Sequence, residues 1–147
     1  MCKEITMAQI TEDYVSFETA KLLKEKGFDE ETAYTYSNNG ELLRLNHFGI
    51  KDLTNTDCNG YATWQFPIEG VASIISAPTF QMAMKWLREV HNIAINIGWG
   101  EILEDIFQWW CIILDQKDGR VLRESEYHNT YEEACEAAIK YCLENLI

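Results

Sequence analysis

Apolar residues recur along this chain with two periods, and each change of period marks a change of element. From Val15 to Phe28 the spacing is helical, with Phe17, Ala20 and Leu23 (or Leu22) on one inward face. Both ends carry the matching signals. The Ser16 hydroxyl can cap the first turn while Val15 staples onto Ala20. Lys21, Lys24 and Lys26 load the end that the helix dipole makes negative, and Gly27 supplies a left-handed stop onto which Phe28 folds back. The pattern then shortens. Ala33–Ser37 is rich in aromatic and β-branched residues, Asn38-Asn39-Gly40 is turn chemistry, and Glu41–Leu45 returns, which predicts a β-hairpin. Residues 46–60 read as loop, and Tyr61–Phe66 and Val71–Ser76 read as short strands either side of Pro67.

The C-terminal half alternates more cleanly. Pro78 is placed to open a helix over 78–91, in which Phe80, Ala83, Trp86 or Leu87, and Val90 recur at helical spacing. Asn92–Gly100 switches to a period of two, with Ile93, Ile95, Ile97 and Trp99 on one side. Ile106–Leu114 is apolar on both sides. One face carries Ile106, Gln108, Trp110, Ile112 and Leu114, the other Phe107, Trp109, Cys111 and Ile113, so the strand belongs at the centre of a sheet. Gln116–Gly119 turns the chain, Arg120–Tyr127 returns as a more polar edge strand, and Thr130 with Glu133 forms a capping box. Tyr131, Ala134, Cys135, Ala138, Cys142 and Leu146 then line a last helix over 130–146.

These elements predict one α+β domain over residues 1–147. Its C-terminal part is an α-β-β-β-α unit with an antiparallel sheet, and the N-terminal helix and hairpin extend that sheet or cover its second face. The adjacent Trp109 and Trp110 must point to opposite faces. If the N-terminal half leaves the side of Phe107, Trp109 and Ile113 open, a protein partner or a second copy must cover it. Those three residues are the candidate interaction surface.

Composition narrows the function classes. The 147 residues are 47% hydrophobic and 24% charged, values of an ordered globular chain. The formal charge of −12 is spread through the sequence: residues 1–60 carry 11 acids and 6 bases, residues 61–147 carry 13 and 6. Such a field opposes direct nucleic-acid binding, which runs on lysine and arginine displacing counterions. The α-β-β-β-α order is also that of double-stranded-RNA-binding domains, but the basic face they need is missing. The acidity fits the reverse role better, an acidic mimic of DNA that occupies a basic enzyme and blocks restriction. The N-terminus lacks a basic segment followed by an apolar run, and no apolar stretch approaches the ~18 residues of a membrane span, so a soluble cytoplasmic protein is expected. Five cysteines without a Cys-x-x-Cys pair fit reduced thiols.

Candidate chemistry is sparse. The possible metal ligands His47, His91, His128, Cys2, Cys58, Cys111, Cys135 and Cys142 show no zinc-site spacing, although His47, Asp57 and Cys58 can meet in space. Neither a nucleophile motif nor a glycine-rich phosphate loop is present. His91, at a helix end, reads as a dipole-favoured cation, and the clusters Asp29–Glu31, Glu101 with Glu104-Asp105, and Glu132-Glu133 read as solvated surface. No catalytic residue, metal site or cofactor is expected.

Three segments carry a resemblance: Ala20–Phe28, Ala77–His91 with its Ala-Pro-Thr-x-Gln start and Lys85-Trp86-Leu87-Arg88-Glu89 core, and Tyr131–Ile147. Together they resemble a family of small proteins, without an established activity, found in gut Bacteroidetes and their phages and mobile elements. The likeness touches the start, middle and end of the chain and leaves 29–76 unmatched. It implies a phage or mobile-element origin and no catalytic residue. The expected function is a non-enzymatic interaction protein, binding another protein or itself. The alternatives are the DNA mimic and a small-ligand binder or enzyme.

Overall fold

The computed structural model describes residues 11–30, 32–37, 39–44, 61–64, 70–124 and 126–147. The first helix, α1 (Phe17–Glu25), starts where the Thr19 amide donates to the Ser16 hydroxyl. It ends at Gly27 (φ +93°), where the Phe28 amide donates to the Leu23 carbonyl at 2.9 Å and the Phe28 ring is buried. Only a residue without Cβ takes that φ at little cost. The predicted hairpin forms as β1 (Tyr34–Ser37) and β2 (Leu42–Arg44). Its β1 pairs with β4 (Gly70–Ser76), which in turn pairs with β3 (Tyr61–Trp64), in a four-stranded antiparallel sheet of order β2-β1-β4-β3. The hairpin thus belongs to a sheet of its own and does not extend the C-terminal one. The predicted loop over 46–60 lies outside the described residues.

The second helix, α2 (Phe80–His91), begins two residues later than its proline suggests. Thr79 is the cap, accepting from the Met82 amide, and Pro78 stands outside the helix, its carbonyl accepting from Val15 at 3.1 Å. A hydroxyl at the cap satisfies a free amide, whereas proline merely lacks one, so the threonine sets the boundary. Val90, expected inward, is exposed, and Met84 is buried with Phe80, Ala83, Trp86 and Leu87.

Beyond α2 come β5 (Ile93–Leu103), β6 (Ile106–Asp115) and β7 (Val121–Glu124), an antiparallel sheet of order β5-β6-β7 with β6 central, as its two apolar faces require. β5 runs past the predicted Gly100 and joins β6 through Glu104 and Asp105, the latter at φ 61°. β7 is shorter than predicted. After a register shift opposite Ile113 and Leu114 the chain leaves the sheet, and it returns at His128, whose amide and carbonyl both bond to Trp109 at 2.7 and 2.9 Å. The last helix, α3 (Tyr131–Asn145), is capped by Thr130, while the Glu133 carboxylate accepts from the Asn129 amide.

The helices join the two sheets. α2 and α3 rest on one face of β5 and β6, and α1 rests on α3 and β4. Leu23, Phe28, Leu87, Ile113, Ile139 and Leu143 meet in one core. A carboxylate fixes α1 against α3. Glu136 of α3 accepts from the Ser16 amide (3.2 Å), the Ser16 hydroxyl and the buried Thr19 hydroxyl (2.5 Å). It thereby serves the free amides and positive dipole end of a helix more than a hundred residues away in sequence.

Candidate functional site

The three residues singled out on β6 share a face, but the structure separates their fates. Ile113 is fully buried in the core, and Trp109 is half-buried with its ring edge-on to Tyr131 at 5.2 Å. Only Phe107 is open. Among the described elements the cover on this face comes from α2 and α3, which bury Ile113.

Cover stops because the elements differ in length. β5 has 11 residues and so reaches roughly 36 Å. The 12 and 15 residues of α2 and α3 make helices of only about 18 and 22 Å. The β5–β6 ribbon therefore overhangs the helices. On the overhang Trp99 is 57% exposed, Leu103 65%, Ile106 47% and Phe107 48%. Trp99 and Phe107 stack with ring centroids 4.9 Å apart and planes 19° from parallel. Trp99 and Phe107 lie on the face that bears the helices, and Leu103 pairs with Ile106 beyond the register shift, on the other face, so the tip exposes apolar side chains on both sides where isolated ones are the norm.

Carboxylates surround this tip. Glu101, Glu104 and Asp105 are exposed, and a Glu101 oxygen accepts from the Asp105 amide at 2.9 Å, holding the turn. The sequence has no Lys or Arg between Arg88 and Lys117, so the ribbon has no cation of its own. Sequence reasoning read these acids as solvated surface and missed Trp99, Leu103 and Ile106. A signal was present: Ile102-Leu103 and Ile106-Phe107 flank Glu104-Asp105 symmetrically, the pattern of a hairpin with an apolar tip.

The reverse face of the ribbon carries Trp110, Ile112 and Leu114, half-buried and outside the core cluster. The Trp110 indole lies across Gly98 so closely that a Cβ there would stand 2.1 Å from its Cζ2. Gly98 is thus a seat for the indole.

Other candidates are occupied structurally. His91 is not a charged cap, because Asn92 (φ 56°) closes α2 with its amide on the Leu87 carbonyl. The imidazole lies edge-on to Trp86 at 4.7 Å with its Nε2 buried and unpartnered, and burial lowers its pKa. Cys111, Cys135 and Cys142 are buried thiols, and burial pushes Cys135 up to about 11 and Cys142 up to about 12. Cys135 and Cys142 therefore stay protonated and unreactive at neutral pH. Among the described residues no three His, Cys, Asp or Glu side chains group as a metal site. His47, Asp57 and Cys58 lie outside the described residues. A cleft of about 300 Å³ between β6, β7 and α3 has His128, Arg123 and Lys140 on its wall. Both cations are engaged there, Arg123 over the Tyr141 ring at 4.1 Å and Lys140 with Glu18 at 3.4 Å.

Among the described residues no helix is long and apolar enough to cross a membrane. Comparison with protein-family models, curated proteins and solved structures finds no match for this chain.

Proposed function

We propose that this chain is a non-enzymatic protein-binding module that presents the β5–β6 tip to its partner. The observation that carries the reading is the stacked Trp99–Phe107 pair, with Leu103 and Ile106 also exposed at the same end of the hairpin and Glu101, Glu104 and Asp105 exposed beside them in the chain. Aromatic anchors in a polar rim are what binding hot spots are made of. The partner surface that fits is an apolar pocket edged by lysine or arginine. Tip-to-tip self-association is disfavoured, since it sets three carboxylates against three. A mimic of DNA needs carboxylates spaced along one ridge like phosphates, whereas here they surround an aromatic pair. The resemblance to small proteins of phages and mobile elements makes a host protein the natural class of target.

The test is capture from a host lysate by photo-crosslinking from position 104, followed by binding measurements on the captured protein. A basic partner is expected, whose affinity falls at least about tenfold with Ile106→Ser plus Phe107→Ser, the scale of losing two hot-spot contacts. Binding should also weaken as salt rises. A partner bound equally well by the double variant would sink the reading.

A further inference from the structure

The ribbon has a second available surface, its outer edge. β5 is an edge strand, and among the described residues nothing pairs with its outer side. Alternate residues along it therefore direct amide and carbonyl groups away from β6. Proteins guard such edges with lysine, proline or short length. The opposite edge of this sheet is guarded: β7 has four residues, a register shift beside it, and Arg123 and Glu124. β5 runs for 11 residues with no lysine, arginine or proline, and Glu101 is its one ionised side chain.

We infer that β5 pairs antiparallel with β5 of a second copy, around a twofold axis at Gly98, joining two three-stranded sheets into one. Gly98 is the midpoint of Ile93–Leu103, so this register gives every residue of the strand an opposite number. Ile97 then faces Trp99 of the second copy, and Trp99 faces its Ile97. Aromatic and β-branched residues make favourable cross-strand pairs, and this one covers an indole more than half exposed in the single chain. Asn96 faces Gly100, and Ile95 faces Glu101.

Charge selects a second copy as the occupant. A chain at −12 repels itself over most of its surface. Within β5 no acidic or basic side chain precedes Glu101, so the centre of the paired strands is neutral. The two Glu101 carboxylates stand six residues apart in this register, roughly 20 Å. That exceeds the ~8 Å screening length at physiological salt, so they hardly interact. In this register the strand is its own complement, Ile97 meeting Trp99 twice about the axis, a match that a foreign strand would have to bring in its own sequence. The paired edge shares Trp99 and Glu101 with the tip, but the variants that test it alter Asn96 and Gly100 and leave the tip side chains in place, so its failure and that of the proposed function are distinguishable.

Sedimentation equilibrium on three proteins tests it. The wild type should approach twice 17.1 kDa near ~100 μM and dissociate on dilution, as expected of a small interface. Asn96→Lys with Gly100→Lys sets like charges opposite each other twice across the axis and should raise the dimer Kd about tenfold or more. Asn96→Lys with Gly100→Glu sets opposite charges there and should restore wild-type association. Both positions tolerate the change within one chain, because Asn96 is exposed and a Cβ on Gly100 meets nothing within 4 Å. A wild type that stays monomeric at ~1 mM, or two double variants that behave alike, would overturn the inference. Ile106→Ser with Phe107→Ser should dimerise as the wild type does, which separates the edge from the tip.

Discussion

At the scale of the residue, His91 makes the clearest statement about pH. Its Nε2 is buried without a partner against Trp86, and burial holds its pKa below the ordinary 6.5. The folded state therefore favours the neutral ring and the unfolded chain accepts the proton more readily. Its contribution is fully present above the unfolded pKa and is lost as pH falls through the folded one. Urea midpoints should drop between about pH 7.5 and pH 5, and His91→Gln should reduce that drop. An equal drop in the variant would assign it to other groups. The sequence placed this histidine at a helix end correctly, but the dipole argument pointed to a cation. Desolvation wins because a ring packed on an indole loses more hydration than one helix terminus returns. Gly98 was equally opaque: as a letter it is one member of an alternating strand, and only the fold shows the Trp110 ring lying on it.

At the scale of the element, caps and periodicity were legible because they are local. Ser16, Gly27, Thr130 and Glu133 bounded two helices nearly as read. Three boundaries were not. Pro78 yielded to Thr79, β7 ended early, and the β5–β6 turn used Glu104-Asp105 where asparagine and glycine are the usual signal. The contact between α1 and α3 was invisible for a simpler reason: Glu136 lies 120 residues from the Ser16 it caps. Glu136→Ala should cost about 1–2 kcal/mol in chemical denaturation, the scale of losing a helix cap, with the Thr19 hydroxyl left buried. Glu132→Ala, on an exposed residue one turn earlier, should cost only a few tenths, within about 0.5 kcal/mol. Equal losses would mean that the Glu136 carboxylate holds nothing in place.

At the scale of the molecule, the charge of −12 is barely offset by ion pairs. Lys85–Glu89, Arg120–Asp115 and Lys140–Glu18 are such pairs, all with at least one well-exposed side chain. Surface pairs of this kind contribute little. Self-repulsion should therefore dominate the response to salt, and Tm should rise by a few degrees between ~20 and ~300 mM NaCl in calorimetry. A falling Tm would show that the pairs outweigh the repulsion. The fold class and the C-terminal α-β-β-β-α order were readable at this scale. The covered face of the central strand was not, since alternation separates two faces without saying which one the helices take.

The overhang has a consequence for how such a chain can change over generations. Ile113 and Leu143 hold the core, whereas Leu103, Ile106 and Phe107 touch none of it. Mutations at the tip are filtered by what the ribbon meets and hardly at all by whether the domain folds. The two kinds of constraint fall on different residues of one hairpin, so its far end is free to diversify while its near end stays fixed.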